Sequence, residues 1–206
     1  MSAIDYRRLP FWTRPDLTPY LIHLTRARRG RSGFENLVNI LRGGVVRGST
    51  TQTGFIKGSI PAACFMDVPF HALKSVCTPE NAERYEPYGV VVSKRTAYER
   101  GARPVLYLSG TEQRRLDVPR DQLWRVVKLE VSEEGWVSWL HEREWRCPHE
   151  FRLPKRFVAA IVRSLTEVGH LQEMLEDDED FKSLPKCILP LEVICQGLPK
   201  PLEQSQ

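Results

Sequence analysis

What most constrains this chain is the length and spacing of its apolar runs, which are short and mostly follow one another with only a polar stretch between. Runs of this kind occupy residues 20–25 (YLIHLT), 62–70 (AACFMDVPF), 88–94 (YGVVVSK), 104–110 (PVLYLSG), 123–131 (LWRVVKLEV), 157–164 (FVAAIVRS) and 187–195 (CILPLEVIC). Four to eight apolar or β-branched residues between turn signals read as strands, and here such runs outnumber the helical patterns. The expected class is therefore α+β, with mixed or antiparallel sheets and flanking helices. None of the runs approaches the roughly 20 residues that a membrane-crossing helix requires. The opening MSAIDYRRLPFW carries charge and proline where a secretory leader needs an apolar stretch, so a cytoplasmic protein with no membrane partner is expected.

Two helices announce themselves at their first turns. Ser32 and Glu35 stand at capping-box spacing, followed by Phe34, Leu37, Val38, Ile40 and Leu41 at helical spacing and stopped by Gly43-Gly44. Ser164 and Glu167 repeat the signal ahead of Val168, Leu171 and Leu175. His71 to Cys77 suggests a short helix and TAYERGA a helical turn, while Val45 to Ser59, rich in Gly, Ser and Thr, suggests a surface loop able to close over a ligand. Pro190 marks the last run as an edge or a break. The resulting organisation is an extended lead-in over 1–19, one domain over 20–196 and a tail over 197–206.

A chain of 206 residues with 41% hydrophobic and 27% charged residues supports one good-sized core. Its net charge of +4 is compatible with a polyanionic partner without requiring one. The five cysteines are scattered and form no CxxC pair, which points to buried thiols rather than to a disulfide framework or a zinc site. Neither a GxGxxG nor a GxxxxGK[ST] fingerprint is present, and Trp145 stands where a zinc-protease motif beginning at His141 needs its second histidine.

Three constellations remain. Strand alternation places His23 and Thr25 on one face, a pair suited to a ribose or an amide edge, though a strand histidine is as readily structural. In His141-Glu142-Arg143-Glu144-Trp145-Arg146-Cys147, an extended backbone sets Glu142 and Glu144 on one side. Two close carboxylates raise each other's proton affinity, as acid–base work needs, although a charged exposed strand would look the same. Arg26, Arg28, Arg29 and Arg31 form a basic loop whose forks suit phosphates. A Mg²⁺-dependent nuclease built on Asp67, Lys94, Glu142 and Glu144 is a further reading, with acidic residues not spaced like a known nuclease core.

The order of His23, Thr25, Asn36, Leu37, Ile40, Leu41 and Gly43, followed by residues 64–70, Pro104 to Leu108, Glu144-Trp145, Pro154 and residues 157–164, resembles the DarT-type ADP-ribosyltransferases, toxins that modify single-stranded DNA. Asp67-Val68-Pro69, Tyr88-Gly89 to Lys94 and Pro104-Val105-Leu106-Tyr107 are similar to the AbiGi-type phage-resistance proteins. The resemblance implies an ADP-ribosyltransferase-like fold in a bacterial toxin or phage-defence protein that uses NAD as substrate. It implies Glu144 as catalytic carboxylate and His23 on the NAD ribose, with Thr25 steadying the same pocket and Arg26 at the pyrophosphate. Phe65, Phe70 or Tyr107 would stack on nicotinamide. DNA, RNA or a host protein would be acceptor, and a cognate antitoxin or regulatory subunit a partner. Asp67 and His71 stand where that family has tyrosines, and this departure keeps open a non-catalytic interaction or sensor module on the same fold.

Overall fold

The computed structural model describes residues 17–52, 55–133 and 135–198. Most of the expected lead-in and nearly all of the expected tail fall outside these residues.

Strand β1 (Tyr20–Leu24) is followed by helix α1 (Gly33–Gly43), which starts at the expected capping box and ends at Gly44 with φ 64°. Here the backbone turns left-handed, a conformation cheap for glycine alone. The stretch expected to be a loop opens instead with a strand, β2 (Val45–Arg47), because Val46 is an apolar residue the core can take. Next come β3 (Ala62–Phe65), the short helix α2 (Leu73–Val76), β4 (Gly89–Ser93) and α3 (Lys94–Glu99). Pairs of short elements follow: β5 (Arg103–Pro104) and β6 (Leu106–Leu108), α4 (Gly110–Arg115) and β7 (Val126–Lys128), then β8 (Glu130–Ser132) and β9 (Gly135–Val137). The last third holds β10 (Trp145–Pro148), β11 (Glu150–Arg152), β12 (Arg156–Phe157), β13 (Ala159–Val162), α5 (Leu165–Asp177), β14 (Leu184–Pro185), β15 (Ile188–Pro190) and α6 (Leu191–Ile194).

The main sheet runs β1-β4-β13-β15, antiparallel except for its last pair, and a second sheet runs β3-β10-β5. The class is α+β, as the run lengths suggest. Val90, Val91, Ala160 and Ile161 are all buried, which explains why their strands read as continuous apolar runs rather than alternating ones. Alternate side chains enter two apolar clusters: Leu21, Val90, Val92, Ala160 and Val162 pack with α1 and Phe65, while Ile22, Val91, Ala159 and Ile161 pack with Met66, Leu73 and Leu191. Gly89 makes the β1–β4 contact possible, since a Cβ there would lie 2.2 Å from the His23 carbonyl oxygen.

The two sheets meet through backbone hydrogen bonds between Ile22 and Met66, in both directions at 2.8–3.0 Å. This junction brings β1 beside β3, and β3 in turn lies beside β10. Among the described residues no helix is long and apolar enough to cross a membrane.

Candidate functional site

The β1–β3–β10 junction gathers several residues that are far apart in sequence. On β1, His23 places Nδ1 2.8 Å from the Cys64 carbonyl oxygen and sets its ring edge-on to Phe65 at 5.8 Å between centroids. A carbonyl only accepts, so Nδ1 carries the proton and Nε2 of the neutral ring holds a lone pair. Burial lowers the His23 pKa, partly opposed by that hydrogen bond, which keeps the ring neutral at pH 7.

Glu144 stands just before β10. Its carboxylate is gripped at both oxygens by Arg146, with Nε–Oε1 at 2.8 Å and Nη2–Oε2 at 3.0 Å. The two side chains are 10% and 4% exposed, and Arg146 also donates to the Trp124 carbonyl at 2.8 Å. The pairing follows from strand geometry, because residues two apart share a face. The Cys64 thiol lies against this pair, and burial, then the Glu144 charge, push its pKa well up.

Glu142 differs from Glu144. The region from Trp139 is not a continuous strand: Leu140–Glu142 form a 3-10 turn, and Arg143, at φ 43°, swings the chain into β10. The alternation argument for Glu142 and Glu144 therefore does not apply, yet the turn still leaves the two carboxylates close enough to interact. Burial raises the Glu142 pKa, and the Glu144 charge adds to this, whereas a hydrogen bond from the Tyr85 hydroxyl at 2.6 Å works against it. Tyr85 is itself pushed up by burial and by Glu142, so it remains a protonated donor. Tyr107 accepts from the Glu144 backbone N–H at 3.0 Å and donates to the Trp139 carbonyl at 3.3 Å, tying β6 to the turn. Asp67 is buried and paired with Lys94 at 2.7 Å; its N–H donates to the Glu142 carbonyl, and its Oδ1 accepts no hydrogen bond among the described residues.

Of the residues selected from sequence, Glu144 and Tyr107 are hydrogen-bonded and Asp67 bonds the Glu142 backbone, whereas His23 and Phe65 meet each other on the β1–β3 side of the junction. Thr25, Arg26 and Phe70 lie elsewhere. The Thr25 hydroxyl donates to the carbonyls of Gly33 (2.7 Å) and Tyr88 (3.1 Å), joining the end of β1 to the start of α1. Arg26 donates to the Glu83 carbonyl, while Arg28, Arg29 and Arg31 are exposed. Phe70 packs on Tyr20 at the second apolar cluster. Tyr85 and Cys64 escape sequence reasoning, since each acts through a tertiary contact with no local motif. Arg146 was not singled out either, although its two-residue spacing from Glu144 is the signal that could have found it.

Among the described residues no group of three or more metal-ligating side chains is close enough to hold an ion. No protein family, no curated protein and no solved structure matches this chain.

Proposed function

We propose that this chain is an NAD-dependent ADP-ribosyltransferase of a bacterial toxin or phage-defence system, with an ADP-ribosyltransferase-like fold and its site at the junction of β1, β3 and β10. The observation that carries the reading is the pair of linked contacts Glu142–Tyr85 and Glu144–Tyr107 next to the Cys64 thiol, with the neutral His23 on the Cys64 backbone carbonyl. Breaking the bond from nicotinamide to ribose leaves positive charge on the sugar, and fixed anions stabilise that charge best in a site closed to water.

The two carboxylates divide this work. Glu144, clamped by Arg146, is a fixed charge facing the cationic sugar. Glu142, held by a single tyrosine hydroxyl and with a raised pKa, is the proton acceptor. The bond from ribose C1′ to nicotinamide breaks, with its electron pair leaving on nicotinamide. An acceptor oxygen or nitrogen bonds to C1′, and its proton passes to Glu142. The lone pair on His23 suits a ribose hydroxyl as donor.

The test is incubation with NAD labelled on the adenylate side, in separate pools of DNA, RNA and cell protein. Label is expected in one pool, with loss of at least a hundredfold in Glu142→Gln. Equal label in wild type and variant would refute the assignment.

One observation favours a second reading, a non-catalytic sensor or antitoxin module on the same fold: both Glu144 oxygens are already taken by Arg146. NAD binding seen by calorimetry, with no nicotinamide released, would select it.

A further inference from the structure

The main sheet ends at β15, and among the described residues no strand pairs with the outer edge of β15. On its inner side the Ala160 N–H donates to the Cys187 carbonyl at 3.1 Å, and Ala160 stands level with Ile188 in a parallel ladder. Residues of a strand turn their N–H and C=O groups to alternate sides, so those of Ile188 point away from β13. Among the described residues nothing takes them. Pro185 and Pro190 bracket this position and bring no N–H of their own, so the edge is a short footing rather than a long template.

Beside that edge a groove of about 600 Å³ lies between α5 and the β14–β15 segment. Val168 and Leu175 of α5 line it together with Leu184 and Ile188, all four half-buried and packed on the main apolar cluster. Arg156 and Lys186 line it too, both exposed, and among the described residues neither has an acidic partner. Glu176, the acid among the lining residues, accepts from the Gln172 amide at 3.0 Å instead. The same two cations also border a smaller hollow of about 180 Å³, with the hydroxyl-bearing Ser93 and Thr96.

We propose that this groove binds an extended acidic peptide as an added strand. The peptide backbone pairs with the N–H and C=O of Ile188, its apolar side chains rest on Val168 and Leu175, and its carboxylates meet Arg156 and Lys186. An added strand gains affinity from main-chain bonds and specificity from the side chains beside the edge. Because the prolines keep the ladder short, charge-assisted bonds to the guanidinium and the ammonium supply much of the hold. A second copy of this chain is a poor occupant, since the same prolines blunt its matching edge, and an acyl carboxylate would leave Ile188 unpaired. The groove lies at the opposite edge of the main sheet from β1, and the inference does not rest on the proposed reaction.

The probe is a pool of labelled hexapeptides with valine or threonine at the first four positions and glutamate at the last two. It is titrated into the full chain by fluorescence polarisation, beside a neutral pool with glutamine for glutamate and an amidated end, and beside laurate. The acidic pool is expected to bind, and to bind about tenfold more weakly to a protein carrying Arg156→Glu with Lys186→Glu. Both side chains are exposed, so that double variant is expected to keep its core, and Arg95→Ala serves as a remote control. The neutral pool is expected to show a similar loss against wild type. Hydrogen exchange followed by NMR then reads the geometry: the Ile188 amide should be slowed by the acidic pool. Equal binding of the two pools, binding that the double variant leaves unchanged, or an Ile188 amide that stays unprotected overturns the proposal. Laurate binding without peptide binding also overturns it and leaves an acyl carboxylate as occupant, and no binding of any probe overturns it outright. Each of these results stands apart from the labelling test, which reads NAD consumption.

Discussion

Glu142 and Glu144 stand two residues apart, yet one is clamped by a guanidinium and the other takes its hydrogen bond from a neutral phenol. If Glu142 accepts the proton, kcat/KM must fall on the acid side as its carboxyl protonates, with the limb above the ordinary carboxylate range because burial raises the pKa. Tyr85→Phe removes the bond that favours the carboxylate, so a pH profile of the variant is expected to show this limb displaced further upward. Stability has its own sign. A carboxyl with a raised folded pKa holds its proton better when folded, so its contribution is full below the unfolded pKa and is lost as pH rises through the folded one. Glu142→Gln should therefore melt above wild type at neutral pH, with the gap closing below the ordinary carboxylate range. A Tm difference independent of pH would contradict the assignment.

Among the elements, β4 is held close against its neighbour β1. Gly89→Ala would drive a methyl into the His23 backbone, and denaturant unfolding is expected to show a loss of about 1–3 kcal/mol, with His23 displaced from Cys64. The elements that could be read from the letters are those whose cause is local. Ser32 with Glu35 and Ser164 with Glu167 announce α1 and α5, and both boxes form as spaced. The same signal, Ser109 with Glu112, opens α4 and passes unnoticed behind an apolar run. Strand pairing was not legible. That β13 joins β15 in parallel and β4 in antiparallel fashion depends on segments far apart in the chain. The carboxylate site was legible only in part, because Arg143 enters the left-handed region without being a glycine and so conceals the turn that places Glu142.

Across the whole molecule, the Glu144–Arg146 pair ties β10 to Trp124 and to Cys64 on β3, so it has a structural part whatever its part in the proposed reaction. Arg146→Ala leaves a buried carboxylate uncompensated, and chemical unfolding should show a loss of about 3–5 kcal/mol; Glu144→Leu combined with Arg146→Met should come close to neutral. If the double variant is as unstable as the single one, the pair is not what holds that corner. The order of the main sheet has a different consequence, which concerns synthesis. Tyr20–Leu24 leaves the ribosome early, but its hydrogen-bonding partner, Gly89–Ser93, comes much later, and that strand's other edge waits for Ala159–Val162. Until then the growing chain displays unpaired strand edges, which are templates for pairing with another chain. This protein should thus depend on chaperones during translation more than its finished stability would indicate, and a ribosome stalled before Ala159 should present a nascent chain open to protease.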